Sequence, residues 1–246
     1  MNLWRLERLR LFRTRKWMII AAVYGFFGLI GPLTARYLAQ IMDSLSGGAD
    51  IQLPDMTPAD GITQYVGNAQ QLGLLAVAFV AAGALAFDSN TEMSIFLRTR
   101  ARVPQIFAPR FVVNALAAVA GFAFGAAIAY VGTGLLLDWL PFGPFLVGVA
   151  LHGVYLVFAV AVIGVLASVF RTVLAVALST LGVMILIAVV AIIPQIGDWL
   201  PSDLVGAIDD LIRGGGFEYW RSLLVTVAAI PLLTYIAVQR FTAREV

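Results

Sequence analysis

The chain has no cysteine, one lysine and one histidine in 246 residues. Without cysteine there is no disulfide framework, no thiolate metal site and no cysteine nucleophile. A P-loop needs a lysine after glycine to reach nucleotide phosphates, and Lys16 follows Arg15, so this chain cannot carry that motif. It also lacks GxSxG, HExxH and paired carboxylates within its apolar runs. Charge is scarce too, at 12% of residues against about 25% in soluble domains. What fills the space is hydrophobic: 61% of residues, with a mean hydropathy of +0.93. These values describe a membrane protein.

The residues between the apolar runs set the organisation. Residues 1–16 carry six positive charges and one negative, Glu7. Leu3, Leu6, Leu9, Leu11 and Phe12 do not gather on one helical face, so the segment reads as a basic juxtamembrane arm. An interfacial helix on anionic lipid is the weaker reading. The arm is too long, and the following run too free of a small-residue cleavage site, for a signal peptide. Six spans follow, at about 17–37, 64–87, 111–137, 145–170, 172–196 and 222–239, since about 20 apolar residues cross the hydrocarbon core. Arg36 falls near an interface, where it can snorkel. The third span is rich in Ala and Gly (AAVAGFAFGAA), which permits close helix approach in lipid. Residues 198–221 contain PSDLVGAIDDLIR. Its Leu204, Val205, Ile208, Leu211 and Ile212 share one face opposite Asp203, Asp209, Asp210 and Arg213, which predicts an amphipathic helix docked on the bundle.

The charge asymmetry orients the chain. If both termini are cytoplasmic, thirteen of the sixteen basic residues lie inside, and only Arg36, Arg213 and Arg221 lie outside. Ten of the fourteen acidic residues lie outside. The positive-inside rule therefore favours a single six-span domain with both ends in the cytoplasm.

The largest polar segment is residues 88–110, DSNTEMSIFLRTRARVPQIFAPR, between spans two and three. Ser89 and Glu92 have capping-box spacing. Pro104 and Pro109 are expected to interrupt the helix before the next apolar run. Two readings stand side by side: a short helix that a partner grips, and a solvated loop that only fixes topology. His152 is the one titratable residue deep in a span. A structural hydrogen-bonding role is the expectation. A serine–histidine pair with Ser168 or Ser179 is the chemical alternative, and no spacing supports it. With so few ionisable groups in the spans, energy for any transport would come from another polypeptide.

Six spans, a basic arm, a charged connector between spans two and three, a very short turn between spans four and five, and a helical segment before the last span resemble the permeases of type 2 ABC exporters. Glu92 matches the connector glutamate of that family, Arg102 with Pro104 its arginine–proline region in altered order, and Arg110 its last basic residue. The family's connector glycine is absent, with Met93-Ser94-Ile95 in its place. The resemblance implies a coupling connector built on Ser89, Glu92, Arg98, Arg100, Arg102 and Arg110. It implies a separate ABC ATPase, in two copies, that binds ATP and Mg, so that this chain is not itself an enzyme and holds no cofactor. It implies a second permease, identical or related, in a bacterial plasma membrane, with no nucleic-acid partner. The substrate would be amphipathic, such as a drug, lipid or peptide, since the bundle offers no charged site. The alternatives are a non-transporting anchor or sensor coupled to an ATPase, and an intramembrane enzyme using His152.

Overall fold

The computed structural model describes residues 3–45, 56–89 and 99–244, and among these every regular element is a helix. Helix α1 (Leu3–Arg13) turns at Arg15 into α2 (Lys16–Leu45). Arg15 takes φ 56°, a left-handed turn conformation. The second span is composite: α3 (Pro58–Asn68), a π-helical turn (Ala69–Gly73) and α4 (Leu74–Leu85). Four further helices follow: α5 (Val103–Leu136), α6 (Phe142–Ala167), α7 (Val173–Val190) and α8 (Asp203–Ile212), then α9 (Trp220–Ala243). Six of these segments are long and apolar enough to cross a membrane, in line with the expected all-α architecture.

Several boundaries differ from the sequence expectation, for local reasons. The second span begins at Pro58, because Thr57 caps it: its backbone N–H and its hydroxyl both donate to Asp60 Oδ2 at 2.7 Å. The third span begins at Val103, well before Phe111, because Pro109 does not break it. Pro109 lies in the second turn and removes one backbone bond, that to the Gln105 carbonyl, and the helix continues through it. The fifth span stops at Val190, and a separate turn, Pro194–Gly197, follows.

Helix α6 is the hub, packed against α4, α5, α7, α8 and α9. Helix α2 packs along α5 at very short range. A Cβ placed on Gly28 would collide with the Gly125 carbonyl, and one on Gly125 with the Tyr24 carbonyl. The Ala/Gly run of the third span is thus the surface that lets two backbones touch.

The molecule has two chemically distinct ends. The helix α1 and the ends of α5 and α9 bring arginines to one, the basic face, where α4 also ends. Asp60, Asp198, Asp203, Asp209, Asp210 and Glu218 gather at the other, the acidic face, where α8 docks. Leu204, Ala207, Ile208, Leu211 and Ile212 are its buried residues, as the amphipathic pattern anticipated, with Val205 only half-buried.

Candidate functional site

The root of the connector, on the basic face, is where the structure concentrates long-range polar contacts. Glu7 of α1 is the only acid of the arm, and it is 5% exposed. Its Oε1 accepts from Arg110 Nε at 2.9 Å, and its Oε2 lies 3.4 Å from Arg10. Arg110, 6% exposed, also donates to the Ala84 carbonyl at the end of α4 (3.0 Å) and lies 5.2 Å above the Phe87 ring. Arg10 donates to the neighbouring Gly83 carbonyl at 2.9 Å. The arm is therefore not a free basic tail. It is a helix docked over the ends of α4 and α5, and Arg10 of the arm together with Arg110 of α5 satisfies carbonyls that α4 leaves open at its C-terminus.

The other flank is tied in the same way. Phe87, in a short 3-10 turn (Phe87–Ser89), stacks on Phe241 of α9 at 4.5 Å. Asp88 pairs with Arg244 at 3.7 Å, and Arg244 donates to the Val169 carbonyl in the turn between α6 and α7 at 2.5 Å. Both roots of the connector are thus fastened: one through α5 to the arm, the other to α9 and the α6–α7 turn.

The six residues expected to form the connector site are treated unequally. Ser89 closes the 3-10 turn, with its N–H on the Ala86 carbonyl at 3.0 Å. Glu92 and Arg98 lie outside the described residues, and the Ser89–Glu92 capping box with them. Arg100 is exposed on a helical turn. Arg102 is exposed and caps α5, its backbone N–H donating to Gln105 Oε1 at 3.1 Å. Arg110 points inward and belongs to the fold. The sequence reading missed Glu7, whose signal was its isolation: one acid among six bases is a marked position when the rest can face water.

The second polar cluster is inside the bundle. His152 is fully buried and stacks on Phe122 at 3.9 Å, nearly parallel at 5°. Neither ring nitrogen closes a hydrogen bond among the described residues, although the Val205 backbone of α8 faces the ring. Stacking on Phe122 is the ring's packing contact, and the Val205 backbone is the polar group placed nearest for the expected hydrogen bond. Ser168 lies sixteen residues along the same helix, about 24 Å at 1.5 Å per residue, and donates to its own Val165 carbonyl. It is not a partner for His152. Nearby, Gln70 on the π-turn donates to Tyr155 Oη at 2.6 Å, and Tyr65 Oη donates to the Phe122 carbonyl at 2.6 Å. A π-turn often marks a functional position. Here it aims Gln70 across the bundle at α6.

On the acidic face, Arg213 bridges Asp60 of α3 (2.7 Å) and Asp209 (2.9 Å), and Asp209 also accepts from Thr63. A cavity of 450 Å³ lies beside it, lined by Asp198, Asp203, Asp210, Glu218 and Tyr219 among others. Burial raises the Asp203 carboxyl, and Asp198 and Asp210 raise it further against the hydrogen bond from Ser222. Burial and then Asp210 raise the Tyr219 phenol. Among the described residues no group of His, Cys, Asp and Glu is arranged to hold a metal.

No family model matches the sequence. The chain is 24% identical over 237 residues to the uncharacterized transmembrane protein YxlG of Bacillus subtilis, covering 93% of this chain and 91% of that one. The similarity to a transmembrane protein thus runs along nearly the whole length of this chain.

Proposed function

We propose that this chain is the permease subunit of an ATP-driven ABC exporter in a bacterial plasma membrane, with its basic face and both termini in the cytoplasm. The observation that carries the reading is the two-sided anchoring of the connector. A segment fastened through Arg110 to Glu7 and through Asp88 to Arg244 passes a force from a partner to α4, α5 and α9 together. A topology loop has no need of buried charge at its root, since an ion pair out of water offers little net stability over apolar packing. ATP and Mg would bind a separate ATPase pair, and a second permease, identical or related, would complete the path for an amphipathic substrate. Glu92, Arg98, Arg100 and Arg102 would meet the ATPase, while Arg110 would hold the lever in place.

Affinity purification from native membranes tests this. The expected result is a co-purifying P-loop ATPase whose amount per permease falls at least threefold in Glu92→Ala and little in Arg100→Ala, at equal expression. Absence of any ATPase from the wild-type preparation overturns the proposal. An ATPase that no amphipathic compound stimulates would favour the anchor or sensor reading.

A further inference from the structure

We propose that the wedge between α2 and α4 is a binding groove for one anionic phospholipid of the leaflet next to the basic face. The π-turn makes the wedge. Before it, α3 packs on α2; after it, α4 packs mainly on α6 and α7, and the two helices part. Tyr24 fills the apex against Gly73, where a Cβ would collide with its ring.

The resulting groove measures 530 Å³ and is almost wholly apolar. Ile19, Val23 and Phe27 form one wall, and Leu72, Leu75 and Phe79 form part of the other. Both sets recur at helical spacing, so each is a continuous stripe. From Lys16 to Phe27 the groove runs about 16 Å, close to half of the roughly 30 Å hydrocarbon core. That is the length of an acyl chain in one leaflet.

Charge sits only at the basic end. Lys16, the single lysine, lines the groove there. Its Nζ is 3.0 Å from the position of a Cβ on Gly83, and Arg10 donates to the carbonyl of the same residue. Two cations therefore converge on one helix end, while the nearest acid, Glu7, is turned to Arg110 and Arg10. A basic pocket between spans above an apolar slot matches an anionic headgroup with its chain below. A zwitterionic lipid would bring a positive charge of its own to the two cations, and an uncharged one would leave Lys16 with no anion across the groove mouth. Nothing in this inference depends on an ATPase partner.

The test is native mass spectrometry of the purified full-length chain, titrated with phosphatidylglycerol and with phosphatidylcholine of identical chains. One phosphatidylglycerol should be retained at least fivefold more strongly than phosphatidylcholine. Lys16→Gln should abolish that preference and Lys16→Arg should keep it. Val23→Trp, which fills the slot, should cut retention at least fivefold. Soluble glycerophosphoglycerol should not compete, since it lacks the chain. Equal retention of the two lipids overturns the proposal. So does a wild-type preference in Lys16→Gln, unchanged retention in Val23→Trp, or full displacement by the free headgroup. A monomer–dimer shift in Val23→Trp with lipid retention unchanged would assign the groove to a second copy of the chain instead.

Discussion

At the residue scale the decisive contact is Glu7 with Arg110. Both side chains are nearly out of water. Removing one partner strands the other, at a cost of about 3–5 kcal/mol, whereas replacing both with apolar residues is often near neutral. Glu7→Leu should thus destabilise the folded chain strongly, and the double change Glu7→Leu with Arg110→Met should recover most of the loss. Thermal midpoints of the two singles and the double in one detergent measure the coupling; additive losses would mean that the two side chains act independently. The sequence displayed both residues but not their meeting. Arg110 was singled out as the last base of the connector, and Glu7 was averaged into a basic arm. A pairing across 103 positions has no local periodicity to reveal it. His152 shows the same limit. Its burial follows from its place in an apolar run, but its ring stack on Phe122 of another helix does not.

Elements were more legible, because their signals are periodic. The α8 face was readable from residue spacing, and Ile208 is fully buried, with Gly148 of α6 so close that a Cβ there would lie 2.6 Å from the Ile208 Cα. Ile208→Asp places a charge in that contact and should sharply reduce folded protein. Asp210→Asn keeps an oxygen able to accept from Tyr219 Oη (2.9 Å) and should cost about 1 kcal/mol or less. Fluorescence-detected size-exclusion of both variants decides; similar profiles would mean that α8 is not docked. The same layer should respond to pH. The Asp203 carboxyl is raised in the fold, so the folded state holds its proton more tightly than the unfolded chain. Its contribution to stability is then greatest below the ordinary aspartate range and is lost as pH rises through the raised value. Amides of α8 should accordingly exchange more slowly as pH falls from neutral toward that value, after correction for intrinsic rates, and Asp203→Asn should flatten the dependence. A wild-type slope of the opposite sign would contradict it. What periodicity concealed was the π-turn. Gln70 and Gln71 mark a polar point in the second span, but one extra residue in a turn leaves no signature in composition.

At the scale of the whole molecule, charge distribution and a poverty of ionisable groups carry the argument. The six spans follow from hydropathy, and the basic and acidic ends follow from where arginine and aspartate fall. The absence of cysteine makes the sidedness directly measurable. A cysteine introduced at Glu218 should react with an impermeant maleimide in intact cells, and one at Arg100 only after lysis; the reverse pattern would invert the molecule. The energy source is a separate matter. Coupling to a proton gradient needs a group that changes charge within the bundle, and carriers place Asp, Glu, His or Arg there for that purpose. Among the described residues the buried titratable side chains inside the bundle are His152, Tyr24, Tyr65 and Tyr155, while Arg110 and Glu7 are fixed to each other at the basic end. An unperturbed imidazole is the one side chain of this set that changes charge near neutrality, but His152 is fully buried beneath α8, away from water. The purified chain alone should therefore show no ATP turnover, and transport by its complex in vesicles should continue at constant ATP after an uncoupler collapses the proton gradient. Transport that stops with the uncoupler, and that His152→Phe also abolishes while leaving the thermal midpoint unchanged, would move the energy source from a partner ATPase to this buried ring.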